Sequence, residues 1–148
     1  MKPLLLDVNV LLALAWPSHV HHRDAQAWFA ARQPAGFRTC PLTQTGFVRI
    51  SSNPNFTPRA VSPAAALGLL TLITSLAGHE FWPDDLTLGE ALRAGVPLLG
   101  HRHITDAYLL ALAASRGAAV ATLDRGMLGV AGGRVELVEM VVAEDPAR

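Results

Sequence analysis

An α/β sandwich on a mainly parallel sheet is the fold this chain predicts, from three observations. Short apolar runs of strand length alternate with segments of helical length and period. Leu4-Leu5-Leu6 and Ala118-Ala119-Val120-Ala121-Thr122 are apolar without alternation, as strands covered on both faces must be. No repeat, low-complexity tract or linker interrupts the pattern, so the 148 residues read as one domain, 1–148.

Taken in order, the first strand ends at Asp7, and Asn9 is positioned to cap a helix through Ala15 that Pro17 stops. Ser18 caps the next, with Ala25, Trp28 and Phe29 at helical spacing before Pro34. Phe37-Arg38-Thr39 is a second strand ended by Pro41, and Thr43 to Ser51 is a helix broken at Asn53-Pro54. Ser62-Pro63 is a cap with proline at the first helical position, opening a helix to about Leu76. Glu80-Phe81-Trp82 is a third strand, and Leu88 to Ala94 is a short helix closed by Gly95. Ile104 to Arg116 is apolar on nearly every face, and Gly117 supplies the left-handed residue that ends such a helix. After the strand to Thr122, Val135-Glu136-Leu137-Val138 alternates and reads as an edge strand.

Composition narrows the function. Half the residues are hydrophobic and 16% are charged, which excludes a disordered chain. Twelve basic and twelve acidic residues cancel, so the protein does not coat nucleic acid by bulk charge. Lys2 is the only lysine; every other cation is an arginine, the residue suited to bidentate phosphate contacts. Cys40 is the sole cysteine, which rules out an internal disulfide or a cysteine zinc cluster and fits a reducing cytoplasm. The leucines after Lys2 are interrupted by Asp7 and Asn9, unlike a signal peptide. The uncharged stretch from Ala60 to Glu80 is diluted by Ser, Thr, Pro and Gly, unlike a membrane span, so a soluble protein is expected.

Three aspartates carry the chemistry. Asp7 and Asp124 each follow a buried strand, and an open parallel sheet binds ligands outside the carboxyl ends of its strands. Asp106 lies in the first turn of the helix preceding the Asp124 strand, and that helix starts at the same end of the sheet. Three converging carboxylates repel one another unless a cation neutralises them. Oxygen-only ligands suit Mg²⁺ or Mn²⁺, and such a site commonly handles phosphodiesters. Each acid alone reads equally as a turn former or helix-dipole partner, so position leaves both readings open.

Specific strings then matter. Leu-Leu-Leu-Asp-Val-Asn-Val-Leu-Leu-Ala-Leu (4–14), Cys-Pro-Leu-Thr-Gln-Thr-Gly-Phe-Val-Arg-Ile (40–50), Ile-Thr-Asp-Ala-Tyr-Leu-Leu-Ala-Leu-Ala (104–113) and Ala-Thr-Leu-Asp-Arg-Gly-Met (121–127) occur in order. Together they resemble PIN-domain ribonucleases, specifically VapC-type toxins of type II toxin–antitoxin pairs. Trp28 and Phe81-Trp82-Pro83-Asp84-Asp85 match as well, and the resemblance spans almost the whole chain. It implies a compact three-layer α/β/α sandwich, Mg²⁺- or Mn²⁺-dependent endoribonuclease activity, inhibition by a cognate VapB-type antitoxin, and a homodimer. The family's acids map onto Asp7, Asp106 and Asp124. Its usual further glutamate is Gln44 here, which adds no charge but offers a carbonyl oxygen. The alternative this leaves is a PIN fold that binds RNA or antitoxin without cutting.

Asn9 and Thr122 sit beside the acids as groups that orient carboxylates or water, and read equally as a helix cap and a strand end. Arg125 directly follows Asp124 and, with Arg49 and Arg102, is a candidate phosphate contact. His19, His21, His22, His101 and His103 read as surface or loop residues, the last two near enough to Asp106 to approach substrate. Trp28 and Phe29 read as core or dimer packing. An aspartyl-phosphate enzyme needs a late catalytic lysine, which this chain lacks.

Overall fold

The computed structural model describes residues 1–93 and 100–142, without the side chains of 92 and 93. Five strands, β1 (Leu4–Leu6), β2 (Phe37–Thr39), β3 (His79–Phe81), β4 (Ala119–Thr122) and β5 (Val138–Met140), form one sheet. Their order is β3-β2-β1-β4-β5 and every pairing is parallel. Among the described residues seven α-helices accompany them: α1 (Val8–Ala15), α2 (His22–Arg32), α3 (Pro41–Ser51), α4 (Pro63–Thr74), α5 (Leu88–Arg93), α6 (Ile104–Ser115) and α7 (Gly126–Ala131).

Period-two geometry divides the apolar strands between two cores, one on each face of the sheet. Leu5 and Val120 face the α6 side with Tyr108 to Ala113, Met127 and Val130. Leu4, Leu6, Ala119 and Ala121 face the α1 side with Phe37, Phe47, Leu70 and Ile73. Burial of each such leucine contributes about 1.5–3 kcal/mol, and in β1 and β4 only Thr122, at the end of β4, is polar. This is the three-layer α/β/α sandwich expected from the sequence.

Several boundaries move, each for a local reason. Asp7, not Asn9, caps α1: its carboxylate accepts the Val8 N–H at 2.8 Å, and an acid beside the partial positive charge of the helix start is favourable. Ser18 does not cap α2, which starts at His22 after His21 without a side-chain cap. Pro41 opens α3 as its first residue instead of merely ending β2, and Thr43 folds back onto the Cys40 N–H at 3.0 Å. Ser62 caps α4 as expected, through the Ala65 N–H, and α4 stops at Thr74. β3 starts one residue earlier than predicted. Val135–Leu137 is a turn of 3-10 helix, so the edge strand β5 begins at Val138, and Glu139 on it receives Trp28 and Arg32 of α2. Gly117 closes α6 with φ +64°. Ala94 and Gly95, read as the end of α5, lie outside the described residues. Trp28 and Phe29 pack on the α1-side core, the latter edge-on against Phe37. Trp82 is buried and Phe81 exposed.

Candidate metal centre at the sheet's switch point

The chain runs outward from β1 in both directions, to β2 and β3 on one side and to β4 and β5 on the other. Between β1 and β4 the connections therefore part, leaving a crevice at the strands' carboxyl ends. Asp7 and Asp124 stand on its two banks, one residue past β1 and two past β4. Asp106, in the first turn of α6, joins them: repulsion from both Asp7 and Asp124 acts on its carboxyl.

One hydroxyl organises this end of the sheet. Thr122 Oγ1 donates to Asp7 Oδ2 at 2.8 Å, and accepts from the Asp124 N–H at 3.0 Å and from Asn9 Nδ2 at 3.1 Å. Asn9 also donates to Asp7 Oδ2 at 3.3 Å and accepts the Leu123 N–H at 3.1 Å, which ties α1 to the end of β4. Asp7 Oδ1 holds the α1 cap, so both its oxygens have fixed directions. Asn9 and Thr122, expected to orient the acids, do so for Asp7. Replacing Thr122 by Val keeps its shape, removes the acceptor of the Asp124 N–H and leaves Asn9 Nδ2 and Asp7 Oδ2 with one partner fewer each. We expect a loss of about 1–3 kcal/mol in stability, measured by urea unfolding, and a fall of about 10–100-fold in metal affinity.

The three carboxylates differ in exposure. Asp7 is buried, Asp106 half-buried and Asp124 exposed, with its Oδ1 accepting the Gly126 N–H at 2.8 Å. Burial raises the Asp7 carboxyl above its ordinary range. The Thr122 and Val8 hydrogen bonds oppose this, the charge of Asp124 adds to it, and Asn9 opposes it. Asp106 is pushed up to about 6, first by burial, then by Asp7 and Asp124, with the nearby His103 acting against. Mutual repulsion of oxygen-only ligands fits a hard divalent cation. Among the described residues, however, no three acidic, histidine or cysteine side chains stand close enough to ligate one ion together as they are placed.

The other candidates fall elsewhere. Gln44 donates its Nε2–H to Thr39 Oγ1 at 3.0 Å and lines a cleft between α3 and α4, with Arg49. Arg125 precedes α7 and is exposed at the crevice mouth. His101, Arg102 and His103 form the 3-10 turn leading into α6, with His103 near Asp106. His19, His21 and His22 lie near the start of α2, and His22 Nδ1 is 2.7 Å from the Ala13 carbonyl. Among the described residues four buried side-chain atoms have no hydrogen-bond partner, Arg38 Nε, Asp84 Oδ1, His103 Nδ1 and Arg116 Nε, a property the sequence reading of Asp84 and His103 did not foresee. Neither residue type nor spacing signals them.

The model of the PIN domain matches residues 4–133. The chain belongs to the PIN-domain family. This PIN domain is 46% identical over 128 residues to ribonuclease VapC38 of Mycobacterium tuberculosis, covering 86% of this chain and 89% of that one. It is 48% identical over 125 residues to ribonuclease VapC39 of the same species, covering 83% and 89%. Its fold matches the crystal structure of VapBC2 from Rickettsia felis bound to a promoter DNA fragment, with a TM-score of 0.64 at 9% identity, over 93% of this chain and 98% of that one. No helix among the described residues of this PIN domain is long and apolar enough to cross a membrane.

Proposed function

We propose that this PIN domain is a divalent-metal-dependent endoribonuclease, the toxin of a toxin–antitoxin pair, with Asp7, Asp106 and Asp124 as its metal ligands and Mg²⁺ or Mn²⁺ as the ion. The observation that carries this is the electrostatic coupling of those three acids at the switch point. The relatives' name, ribonuclease, supplies the substrate class. A VapB-type antitoxin, a homodimer, a single domain over 1–148 and a cytoplasmic site of action belong to the same proposal.

A divalent cation held there supplies Lewis-acid polarisation of a phosphoryl oxygen and lowers the pKa of water. The chain's own residues do the rest. Asp7 presents a carboxylate whose direction is set by Val8, Asn9 and Thr122. Asp106 brings charge on α6 across from it. Asp124 is exposed with Oδ1 accepting the Gly126 N–H, and would hold the ion through its other oxygen. The acids are spread wider than one ion's ligand shell, so Asp7, Asp106 and Asp124 would have to close together to hold an ion in common. Gln44, occupied by Thr39, contributes no charge to this closure.

The test maps RNA ends after brief induction of the wild type and of Asp7→Asn. New ends confined to the wild type are expected; identical maps remove the nuclease assignment. The spacing of the acids also favours a second account, binding without cleavage. Melting with millimolar Mn²⁺ separates the two. An ion at 100 times its Kd raises stability by about 2.7 kcal/mol, and an unchanged midpoint favours binding alone.

A further inference from the structure

The acidic residues of this neutral protein are unevenly spread along the chain. From Ala25 to His79 the sequence contains no Asp or Glu, while Arg32, Arg38, Arg49 and Arg59 fall within that stretch. Arg32 is paired with Glu139 and Arg38 with Glu80. Arg49 and Arg59 have no carboxylate partner among the described residues. Arg49 stands on a cleft of about 440 Å³ between α3 and α4. One wall is polar, with Gln44, Thr45 and Arg49 on α3; the other is apolar, with Pro63 and Leu67 on α4. That volume lies in the range of small-ligand sites.

The cleft adjoins the crevice. Gln44 is hydrogen-bonded to Thr39, the last residue of β2, and the β1–β2 register carries on from Leu5 opposite Arg38 to put Asp7 opposite Cys40. α3 also rides on the residue after Asp7, since a Cβ at Gly46 would meet Val8 Cγ2 at 2.7 Å.

Hydrogen-bond direction fixes what the Gln44 end offers. Thr39 Oγ1 lies 2.7 Å from His79 Nε2 on β3. The same Oγ1 accepts the Gln44 Nε2–H at 3.0 Å, which leaves Gln44 Oε1 as the side chain's acceptor.

We propose that the α3–α4 cleft receives a nucleotide of single-stranded RNA flanking the bond to be cut. Arg49 contacts its phosphate, Leu67 and Pro63 pack on the base, and Gln44 Oε1 accepts from an exocyclic amino group. This assignment rests on the ribonuclease reading above. It makes the cleft a specificity site that prefers a base with an exocyclic amino group, such as cytosine, to uracil, which has none.

The test uses the full chain carrying Asp7→Asn, which holds RNA uncut, and fluorescein-labelled oligocytidylate and oligouridylate decamers read by anisotropy. Added Arg49→Gln weakens binding about tenfold, with the slope of log affinity against log salt smaller by about 0.7. Added Leu67→Glu weakens binding comparably, and Gln44→Ala equalises the two decamers. Both Arg49 and Leu67 are exposed, so the fold survives, as an unchanged melting midpoint confirms. A 5-iodocytidine photocrosslink mapped to 44–67 gives an independent readout. RNA binding unaltered by Arg49→Gln and Leu67→Glu overturns the assignment and leaves the cleft to a protein partner. Failure of the nuclease reading shows separately, as equal cleavage by the wild type and Asp7→Asn.

Discussion

Asp7→Asn abolishes RNA cleavage by this PIN domain, by on the order of 10³-fold or more, without unfolding it. The size follows from what is lost: an anionic ligand in a buried site, where electrostatic contributions to catalysis are largest. A 10³-fold loss corresponds to about 4 kcal/mol in the barrier. Folding survives because asparagine is as good a helix cap as aspartate, and its Oδ1 can still accept the Val8 N–H. The amide nitrogen, however, replaces the oxygen that receives Thr122 and Asn9. Burial already disfavours the charged form of Asp7, so removing that charge relieves a cost. Steady-state cleavage of a labelled RNA, with circular dichroism beside it, checks both halves. Wild-type turnover by the variant contradicts the assignment of Asp7.

Asp106→Asn acts in two directions according to whether metal is present. Its carboxyl sits near 6 in the folded chain against an ordinary 3.8. Between those values the folded state keeps a proton that the unfolded chain has released, so stability falls as pH rises from about 4 to 6 and stays lower above. Asparagine removes that loss. In EDTA at pH 7.5 the variant melts higher than the wild type by about 2–4 °C, the equivalent of roughly 1 kcal/mol in a domain of this size. That figure is discounted for the solvent reaching a half-buried side chain. At pH 4 the two coincide. With Mn²⁺ at pH 7.5 the order reverses, because the ion stabilises only the chain that binds it. Calorimetric melting at both pH values follows the crossover; a variant less stable than the wild type in EDTA at pH 7.5 contradicts it.

The central strands were legible in the sequence because burial on both faces leaves no choice of residue. Leu4–Leu6 and Ala119–Thr122 sit where their apolar runs put them, and strand-end logic places Asp7 and Asp124 beside the same crevice. Edges were less legible. β5 is half-covered, so Val135-Glu136-Leu137 satisfies alternation and still turns as a 3-10 helix. Helix starts depended on competition between neighbours: Asp7 and Asn9 are both capping residues, and the charged one wins at the helix end while Asn9 reaches across to β4. The role of Thr122, three hydrogen bonds through one hydroxyl, exists only once β1, α1 and β4 are assembled. Gln44 shows the limit of position by motif. Its string suggested a site oxygen, whereas its amide donates to Thr39 Oγ1, which also contacts His79 on another strand.

Calorimetric titration of Mn²⁺ into the metal-free protein at pH 7.5 tests the shared ion most directly, with and without a short uncleavable RNA analogue. One ion per chain is expected for the wild type, tightened by the analogue, and none at the same concentrations for Asp7→Asn, Asp106→Asn or Asp124→Asn. Wild-type affinity retained by any two of those variants would mean that the acids do not hold one ion in common.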